Sequence, residues 1–165
     1  MSRYRPPAEK SSPYITTEGF RALTDELQSL WTRRREVVVH LSAAAAEGDR
    51  SENAEYIYRK KQLRELDRRI GYLQRRLPTL KVSSTLPAER ERVFFGATVM
   101  LCNDAMCETQ VRIVGADEID PARNWISIDS PMARALLKCT VDDEVQVPTP
   151  LGVDRYCIVA VRYGA

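Results

Sequence analysis

Two runs of sequence in which apolar residues recur at alternating spacings of three and four dominate the first half of the chain. The first run contains Phe20, Leu23, Leu27, Leu30, Val37, Leu41 and Ala44, with Arg34 at the one polar place in the series. The second contains Leu63, Leu66, Ile70, Leu73, Leu77 and Leu80. This spacing predicts two long helices that each bury one apolar seam. A helix over residues 18–47 has a length of about 45 Å, which is too long for a compact domain of this size.

A short polar segment, residues 48–56, separates the two runs and reads Gly-Asp-Arg-Ser-Glu-Asn-Ala-Glu-Tyr. Because so short a link makes consecutive helices antiparallel neighbours, the sequence predicts a helical hairpin in which Leu30 lies near Ile70. Gly48 is typical of a residue that ends a helix, and Pro78 is predicted to end or kink the second helix.

The remaining sequence predicts a second, smaller domain. After residue 92 the apolar period changes from helical to alternating, and turn sequences separate the segments. Ser130 followed by Pro131 predicts the start of one short helix. Candidate strands are 93–101, 109–115, 124–128, 143–148 and 155–163. The expected fold class is therefore a long antiparallel coiled-coil hairpin followed by a small, mostly antiparallel β-sheet domain with one helix.

The domain limits follow from these patterns. The N-terminal residues contain three prolines and show no apolar periodicity, which predicts a flexible tail. Thr16 or Thr17 is the expected cap of the first helix. We assign the tail to residues 1–13, the hairpin to 14–82, a linker to 83–92 and the sheet domain to 93–165.

The composition is that of a soluble globular protein, with 44% hydrophobic and 29% charged residues. No apolar run is long enough to span a bilayer and no signal peptide is visible, so we expect a cytoplasmic protein without membrane contact. Residues 1–80 hold 16 Lys/Arg against 11 Asp/Glu, whereas residues 81–165 hold 9 against 12. This asymmetry favours a polyanion as a partner of the N-terminal half.

The four cysteines, at positions 102, 107, 139 and 157, include no Cys-x-x-Cys pair, and the single histidine, His40, is distant in sequence. A zinc site is therefore poorly supported. We interpret the cysteines as buried, reduced thiols.

Asp49 and Glu52 are two carboxylates three residues apart in the link between the predicted helices. One interpretation is structural, because Asp49 as a helix cap and Glu52 in the first turn resemble a capping box. The other is functional. Mg²⁺ requires near-octahedral oxygen coordination and shares its sites with substrate phosphates, so this pair supplies half of a metal site that another molecule has to complete.

The second helix is strongly basic, with eight Lys/Arg between Arg59 and Arg76 against Glu65 and Asp67. Such charge is usually a solvated outer face with ion pairs four residues apart. A net charge of this size also favours a phosphate-binding stripe. The candidate RNA-binding residues are Arg59, Lys60, Lys61, Arg64, Arg68 and Arg69.

Four stretches of the chain resemble the bacterial Gre transcript-cleavage factors. One is the segment 48–56 quoted above, and a second is Leu-Arg-Glu-Leu-Asp-Arg-Arg-Ile at 63–70. The third is Val-Phe-Phe-Gly-Ala at 93–97, and the fourth is Ile-Ser-Ile-Asp-Ser-Pro-Met-Ala-Arg-Ala-Leu-Leu at 126–137. The resemblance extends over nearly the whole chain from about residue 14.

The resemblance implies a transcription elongation factor that enters the secondary channel of bacterial RNA polymerase. Asp49 and Glu52 match the family's acidic pair, which helps to bind a shared Mg²⁺ at the polymerase active site and promotes cleavage of backtracked RNA. The basic stripe is then expected to contact the 3′ end of the nascent RNA. The sheet domain is expected to have an FKBP-like fold and to bind polymerase through Asp129, Ser130 and Pro131. The protein itself is then a monomeric cofactor and not an enzyme.

Two alternatives remain open. A Gre-like channel binder inhibits or regulates polymerase without promoting cleavage, although such a protein does not need the acidic pair. An independent nuclease cleaves RNA without polymerase, although only half of a metal site is present.

Overall fold

The computed structural model describes residues 11–46, 53–85, 87–150 and 152–164, which form two compact units. One unit is Phe20–Leu80, and the other comprises the described residues up to Gly19 and from Lys81 onward. The helices and strands are, in chain order, β1 (Tyr14–Thr16), α1 (Thr17–Ala46), α2 (Ala54–Arg76), β2 (Lys81–Ser83), β3 (Thr98–Asn103), β4 (Glu108–Val114), β5 (Trp125–Ser127), α3 (Pro131–Leu136), β6 (Glu144–Thr149) and β7 (Gly152–Arg162). None of the described helices is long and apolar enough to cross a membrane.

Helices α1 and α2 form the predicted hairpin. The seam residues of both runs are buried or half-buried, and Leu73 is completely inaccessible. Two ion pairs join the helices, from Arg34 to Asp67 at 2.6 Å and from Arg69 to Glu26 at 2.7 Å. Glu26 precedes Arg34 on α1, whereas its partner Arg69 follows Asp67 on α2, so the helices are antiparallel. Arg34, the one polar place in the first seam, is thus matched by a carboxylate on the facing helix.

The ends of the two helices are capped by polar side chains. The Thr16 hydroxyl accepts a hydrogen bond from the Gly19 amide at 3.0 Å, which identifies Thr16 as the cap of α1. Asn53 caps α2 by accepting from the Tyr56 amide at 3.1 Å, and its amide nitrogen donates to the Ala44 carbonyl at 3.0 Å. Asn53 therefore also fastens the start of α2 to the last turn of α1.

Pro78 ends α2, as the sequence predicts. It lies in a short 3₁₀ turn, Leu77–Thr79, that follows Arg76 directly. A proline lacks the amide hydrogen that a continuing helix requires.

The C-terminal sheet has five strands in the order β5-β4-β3-β7-β6, and all neighbours are antiparallel except β4 and β5. Its buried face is packed with apolar side chains that include Val99, Leu101, Ile113 and Ile158, and Leu136 of α3 belongs to the same core. This confirms the predicted mostly antiparallel sheet with one helix. The first strand begins five residues later than predicted, because residues 94–97 form a turn with a positive φ of 84° at Gly96.

The domain limits differ from the sequence-based ones. Strands β1 and β2 pair in parallel, so that the described residues before Gly19 join the unit that contains the C-terminal sheet. The Ser12 amide donates to Asp129 at 2.8 Å, although residue 12 lies in the predicted tail. Within the predicted linker, Arg92 pairs with Thr140. Backbone pairing between segments that are distant in sequence is the physical reason for these differences.

Glu118 is a buried carboxylate to which the sequence analysis gives no role. Its Oε2 accepts hydrogen bonds from the backbone amides of Thr16 at 3.0 Å and Gly115 at 2.9 Å, and the Thr16 hydroxyl donates to Oε1. A buried carboxylate is tolerated only when its oxygens are satisfied in this way. Glu118 therefore holds the start of α1 against the loop that follows β4.

Replacing Gly115 by Ala is expected to destabilise the protein by about 1–3 kcal/mol. A Cβ atom at this position overlaps the carbonyl oxygen of Tyr14 and lies 2.9 Å from Glu118 Oε2. The backbone and the hydrogen-bonded carboxylate cannot both move aside without breaking the contacts described above. Urea unfolding followed by circular dichroism measures the loss.

Gly71→Ala is the matched control for this substitution. Gly71 lies within α2, and the nearest atom to an added Cβ is Arg75 Nη1 at 3.6 Å. Helix propensity alone then raises the stability by about 1 kcal/mol. Equal unfolding midpoints for the two variants would contradict the tight packing at Gly115.

Candidate functional site

The six candidate RNA-binding residues of α2 divide into two groups. Lys60, Lys61, Arg64 and Arg68 are exposed, and Arg64 lies three or four residues from each of the other three, on the side of the helix away from the seam. Among the described residues, none of these four has an ion-pair partner within 4.0 Å. Their charges are available to a polyanion.

Arg59 and Arg69 are instead used within the hairpin. Arg59 donates to Glu55 at 2.8 Å and to Gln62 at 3.3 Å, and its side chain is only 26% exposed. Arg69 donates two hydrogen bonds of 2.7 Å to the two carboxylate oxygens of Glu26 on α1. Of these two members of the predicted RNA-binding set, Arg59 therefore stabilises α2 itself, and Arg69 holds α2 to α1.

Tyrosines alternate with the basic residues along α2. The Lys60 ammonium lies 5.5 Å from the ring centre of Tyr56, and the Arg69 guanidinium lies 5.3 Å from that of Tyr72. Tyr58, beneath Arg59 at 5.6 Å, is 59% exposed. Exposed aromatic rings beside cations can stack on nucleobases. The sequence analysis missed these tyrosines, although the alternation of aromatic and basic residues was visible in it.

Asp49 and Glu52, the predicted catalytic and metal-binding residues, lie outside the described residues. The structure nevertheless bears on the alternative interpretation of this pair as a helix cap. Helix α2 begins at Ala54 and is capped by Asn53, so the cap position that the capping-box interpretation gave to Asp49 is occupied by another residue. In residues 11–46, 53–85, 87–150 and 152–164 there is no group of three or more side chains able to hold a metal ion.

Asp129, Ser130 and Pro131, the predicted polymerase-binding residues, form the entry to α3. The Ser130 hydroxyl accepts from the Ala133 amide at 3.1 Å, and Pro131 is the first residue of the helix. Asp129 accepts from Ser12 on one side, while its own amide donates to Ser127 at 3.0 Å. The loop is thus rigidly held and presents the exposed Pro131 ring to solvent.

An apolar groove of about 380 Å³ borders this loop. Ser127 and Ser130 form part of its wall, together with Ile119, whose side chain is 53% exposed, and Trp125. Such a groove is suited to an apolar side chain of a protein partner. The sequence analysis did not single out Ile119 or Trp125, because their proximity depends on the backbone bridge between Asp120 and Trp125.

Two arginines hold the Trp125 ring in this groove. The Arg112 and Arg123 guanidinium groups lie 4.7 and 4.2 Å from the ring centre. Arg123 also donates to Asp120 at 2.7 Å, and this hydrogen bond lowers the pKa of the Asp120 carboxyl. The charged form of Asp120 therefore persists to lower pH and keeps Arg123 over the indole.

Comparisons with known protein families match both parts of the chain. A model described as "Transcription elongation factor, N-terminal" matches residues 13–82. A model described as "Transcription elongation factor, GreA/GreB, C-term" matches residues 88–163.

Curated relatives match over nearly their full length. Transcription elongation factor GreB of Xanthomonas axonopodis pv. citri is 57% identical over 100% of this chain and 99% of the relative. The GreB factor of Pseudomonas aeruginosa is 51% identical over 99% of this chain and 98% of its own length. The GreB factor of Yersinia pestis is 54% identical over 92% of this chain and 90% of its own length.

Solved structures match less closely. GreA factor homolog 1 of Thermus thermophilus has a TM-score of 0.42 and 23% identity, covering 90% of this chain and 97% of that one. The GreA/GreB factor of Nitrosomonas europaea has a TM-score of 0.41 and 24% identity, covering 92% of this chain and 100% of that one.

Replacing Arg69 by Ala is expected to lower the stability of the hairpin by about 1 kcal/mol, because a two-pronged ion pair between α1 and α2 is lost. Glu26→Ala should cost a similar amount, and the double variant little more than either single one. Arg68→Ala is the control, since this neighbouring side chain has no ion-pair partner among the described residues. Equal urea midpoints for Arg68→Ala and Arg69→Ala would contradict a structural role of the pair.

Proposed function

The chain belongs to the GreA/GreB family of transcription elongation factors, and from this we propose that it binds bacterial RNA polymerase through the secondary channel. There it stimulates Mg²⁺-dependent cleavage of backtracked nascent RNA by the polymerase active site. The protein is a cofactor that contributes Asp49 and Glu52 and has no nuclease activity alone. It acts in the cytoplasm, as a monomer, where the polymerase is.

The observation that carries this proposal is the cap of α2. Asn53 fills the N-cap position of α2, so that position does not account for Asp49. The Asn53–Ala44 hydrogen bond brings the ends of the two helices together, and the six residues that connect them in sequence include both carboxylates. A thirty-residue helix, about 45 Å long, suits insertion into a deep, narrow channel.

The donor set also fits a shared metal. Two carboxylates supply fewer oxygens than Mg²⁺ requires, so the polymerase and the RNA phosphate have to provide the remaining ligands. A Mg²⁺ held in this way lowers the pKa of a bound water and stabilises the charge that develops on the phosphate. The task of Asp49 and Glu52 is to complete the coordination and to orient the attacking water by accepting its hydrogen bonds.

The remaining surfaces have auxiliary roles. The exposed basic face of α2, formed by Lys60, Lys61, Arg64 and Arg68, follows the phosphates of the extruded RNA. Asp129, Ser130 and Pro131, with the apolar groove beside them, bind polymerase. This separation means that binding and cleavage respond to different substitutions.

Asp49→Asn is expected to reduce transcript cleavage by about 100-fold, as when groups that hold a catalytic metal are altered. Polymerase affinity should change by less than about twofold, because the substitution keeps the shape of the side chain and removes only its charge. The measurements are RNA cleavage in a stalled, backtracked elongation complex and a binding titration with the same polymerase. Asp25→Asn, at an exposed carboxylate on α1, is the control and should retain full activity.

The same assay separates the alternatives. If the wild-type protein binds polymerase and leaves the transcript intact, it is a channel-binding regulator and the proposal fails. If RNA is cleaved when polymerase is omitted, the protein is an independent nuclease. Loss of binding in Asp49→Asn would show that this carboxylate serves docking.

Replacing Arg64 and Arg68 together by Ala is expected to lower cleavage of long backtracked RNA by roughly threefold to tenfold. Cleavage after a one-nucleotide backtrack should change little, because so short an extruded end does not reach these side chains. The control with equal charge is Arg21→Ala/Arg75→Ala, at two exposed arginines nearer the other end of the hairpin. Equal effects of the two double variants at every backtrack length would argue against a contact with RNA.

A further inference from the structure

Two cysteines face each other across neighbouring strands of the C-terminal sheet. Cys102 on β3 and Cys157 on β7 are direct partners in the antiparallel register. Both are free thiols and both are partly exposed, contrary to the sequence-based expectation of buried cysteines. Nothing in the proposed function uses this pair.

The geometry allows the two sulfur atoms to meet. Side chains of directly opposed residues in antiparallel strands stand on the same face of the sheet, and their Cα atoms lie about 4.5–5.5 Å apart. Disulfides span Cα separations of about 4.4–6.8 Å. Leu101 and Ile158, the neighbours of these cysteines, point into the core, so the thiols stand on the opposite face.

We propose that Cys102 and Cys157 are a thiol–disulfide exchange site that reacts with a low-molecular-weight disulfide and closes into a reversible cross-strand bond. The thiolate of one cysteine attacks a sulfur of the small disulfide and releases the first small thiol. The second cysteine then attacks the mixed disulfide and releases the other. Two protein thiols and one small disulfide thus become one protein disulfide and two small thiols, and the two cysteine protons end on the released thiols.

The neighbours of the pair determine which disulfide can approach. In the strand register Glu108 is opposite Cys102, and Glu144 is opposite Cys157, so a carboxylate flanks the thiols on each side. Both glutamates are exposed. Their negative charge disfavours an anionic reagent, and a neutral disulfide is therefore the expected reactant.

The other two cysteines cannot replace either member of the pair. Cys107 pairs with Asn103 across the β3–β4 turn, so its side chain is on the opposite face from that of Cys102. Cys139 follows α3, where burial and the nearby Asp143 carboxylate raise the pKa of its thiol. A raised pKa lowers the fraction of reactive thiolate.

The test uses the full-length protein and 2-hydroxyethyl disulfide, which is neutral. After incubation, free thiols are counted by alkylation, and non-reducing peptide mapping by mass spectrometry locates any cross-link. The wild-type protein should yield one cross-linked peptide pair that contains Cys102 and Cys157, and a mixed disulfide at the exposed Cys107 is counted separately. Treatment with dithiothreitol should restore both thiols.

The variants make the result specific. Cys102→Ser and Cys157→Ser should give no internal cross-link and leave the remaining thiol of the pair free or in a mixed disulfide, whereas Cys107→Ser and Cys139→Ser should give the same cross-link as the wild type. Circular dichroism verifies that each variant is folded, and the wild-type peptide map needs no variant at all. A cross-link to Cys107 or Cys139, or only mixed disulfides in the wild type, would overturn the proposal. None of these measurements involves polymerase, so their outcome is independent of the proposed function.

Discussion

Burial of the apolar seam between α1 and α2 is the interaction on which the rest of the hairpin depends. Single helices of this length are not stabilised by propensity alone, and the leucines of each helix are buried only by the other. Because the seam residues face the other helix, the position of every other residue relative to the seam determines which face of its helix it occupies. Arg34 lies on the seam and is matched by Asp67, while Arg69 and Glu26 border it. The basic face of α2 is exposed because it lies on the side of the helix opposite the buried leucines.

The sequence predicted those parts of the fold that repeat locally. The 3-4 spacing predicted both helices and the short link predicted their antiparallel order, while alternation predicted strands that match β4 and β6 closely. It could not give the pairing of β1 with β2, because each has three residues and they are more than sixty residues apart. The burial of Glu118 was equally hidden, since its partners are backbone amides of Thr16 and Gly115, which no side-chain pattern reveals.

The candidate site was predictable in composition and less so in detail. The number of positive charges identified α2 as the candidate phosphate-binding helix. Which of its basic residues are exposed and which form ion pairs could be seen only once the facing helix α1 was known. Arg69 looked equivalent to Arg68 in the sequence, and only the position of Glu26 on α1 distinguishes them. Asn53 was passed over as a cap because Asp49 and Glu52 fit a familiar motif four residues earlier. The structure assigns the N-cap position of α2 to Asn53.

Three ionisable groups in the described part of the chain have perturbed pKa values. Active sites gather groups with perturbed pKa values, and here the perturbed groups have local structural causes. The hydrogen bond from Arg123 lowers the pKa of Asp120. Burial raises the pKa values of Cys139 and Tyr163. The Tyr163 hydroxyl accepts a hydrogen bond from the Phe94 amide and donates one to the Arg92 carbonyl. None of these arrangements pairs a nucleophile with a base.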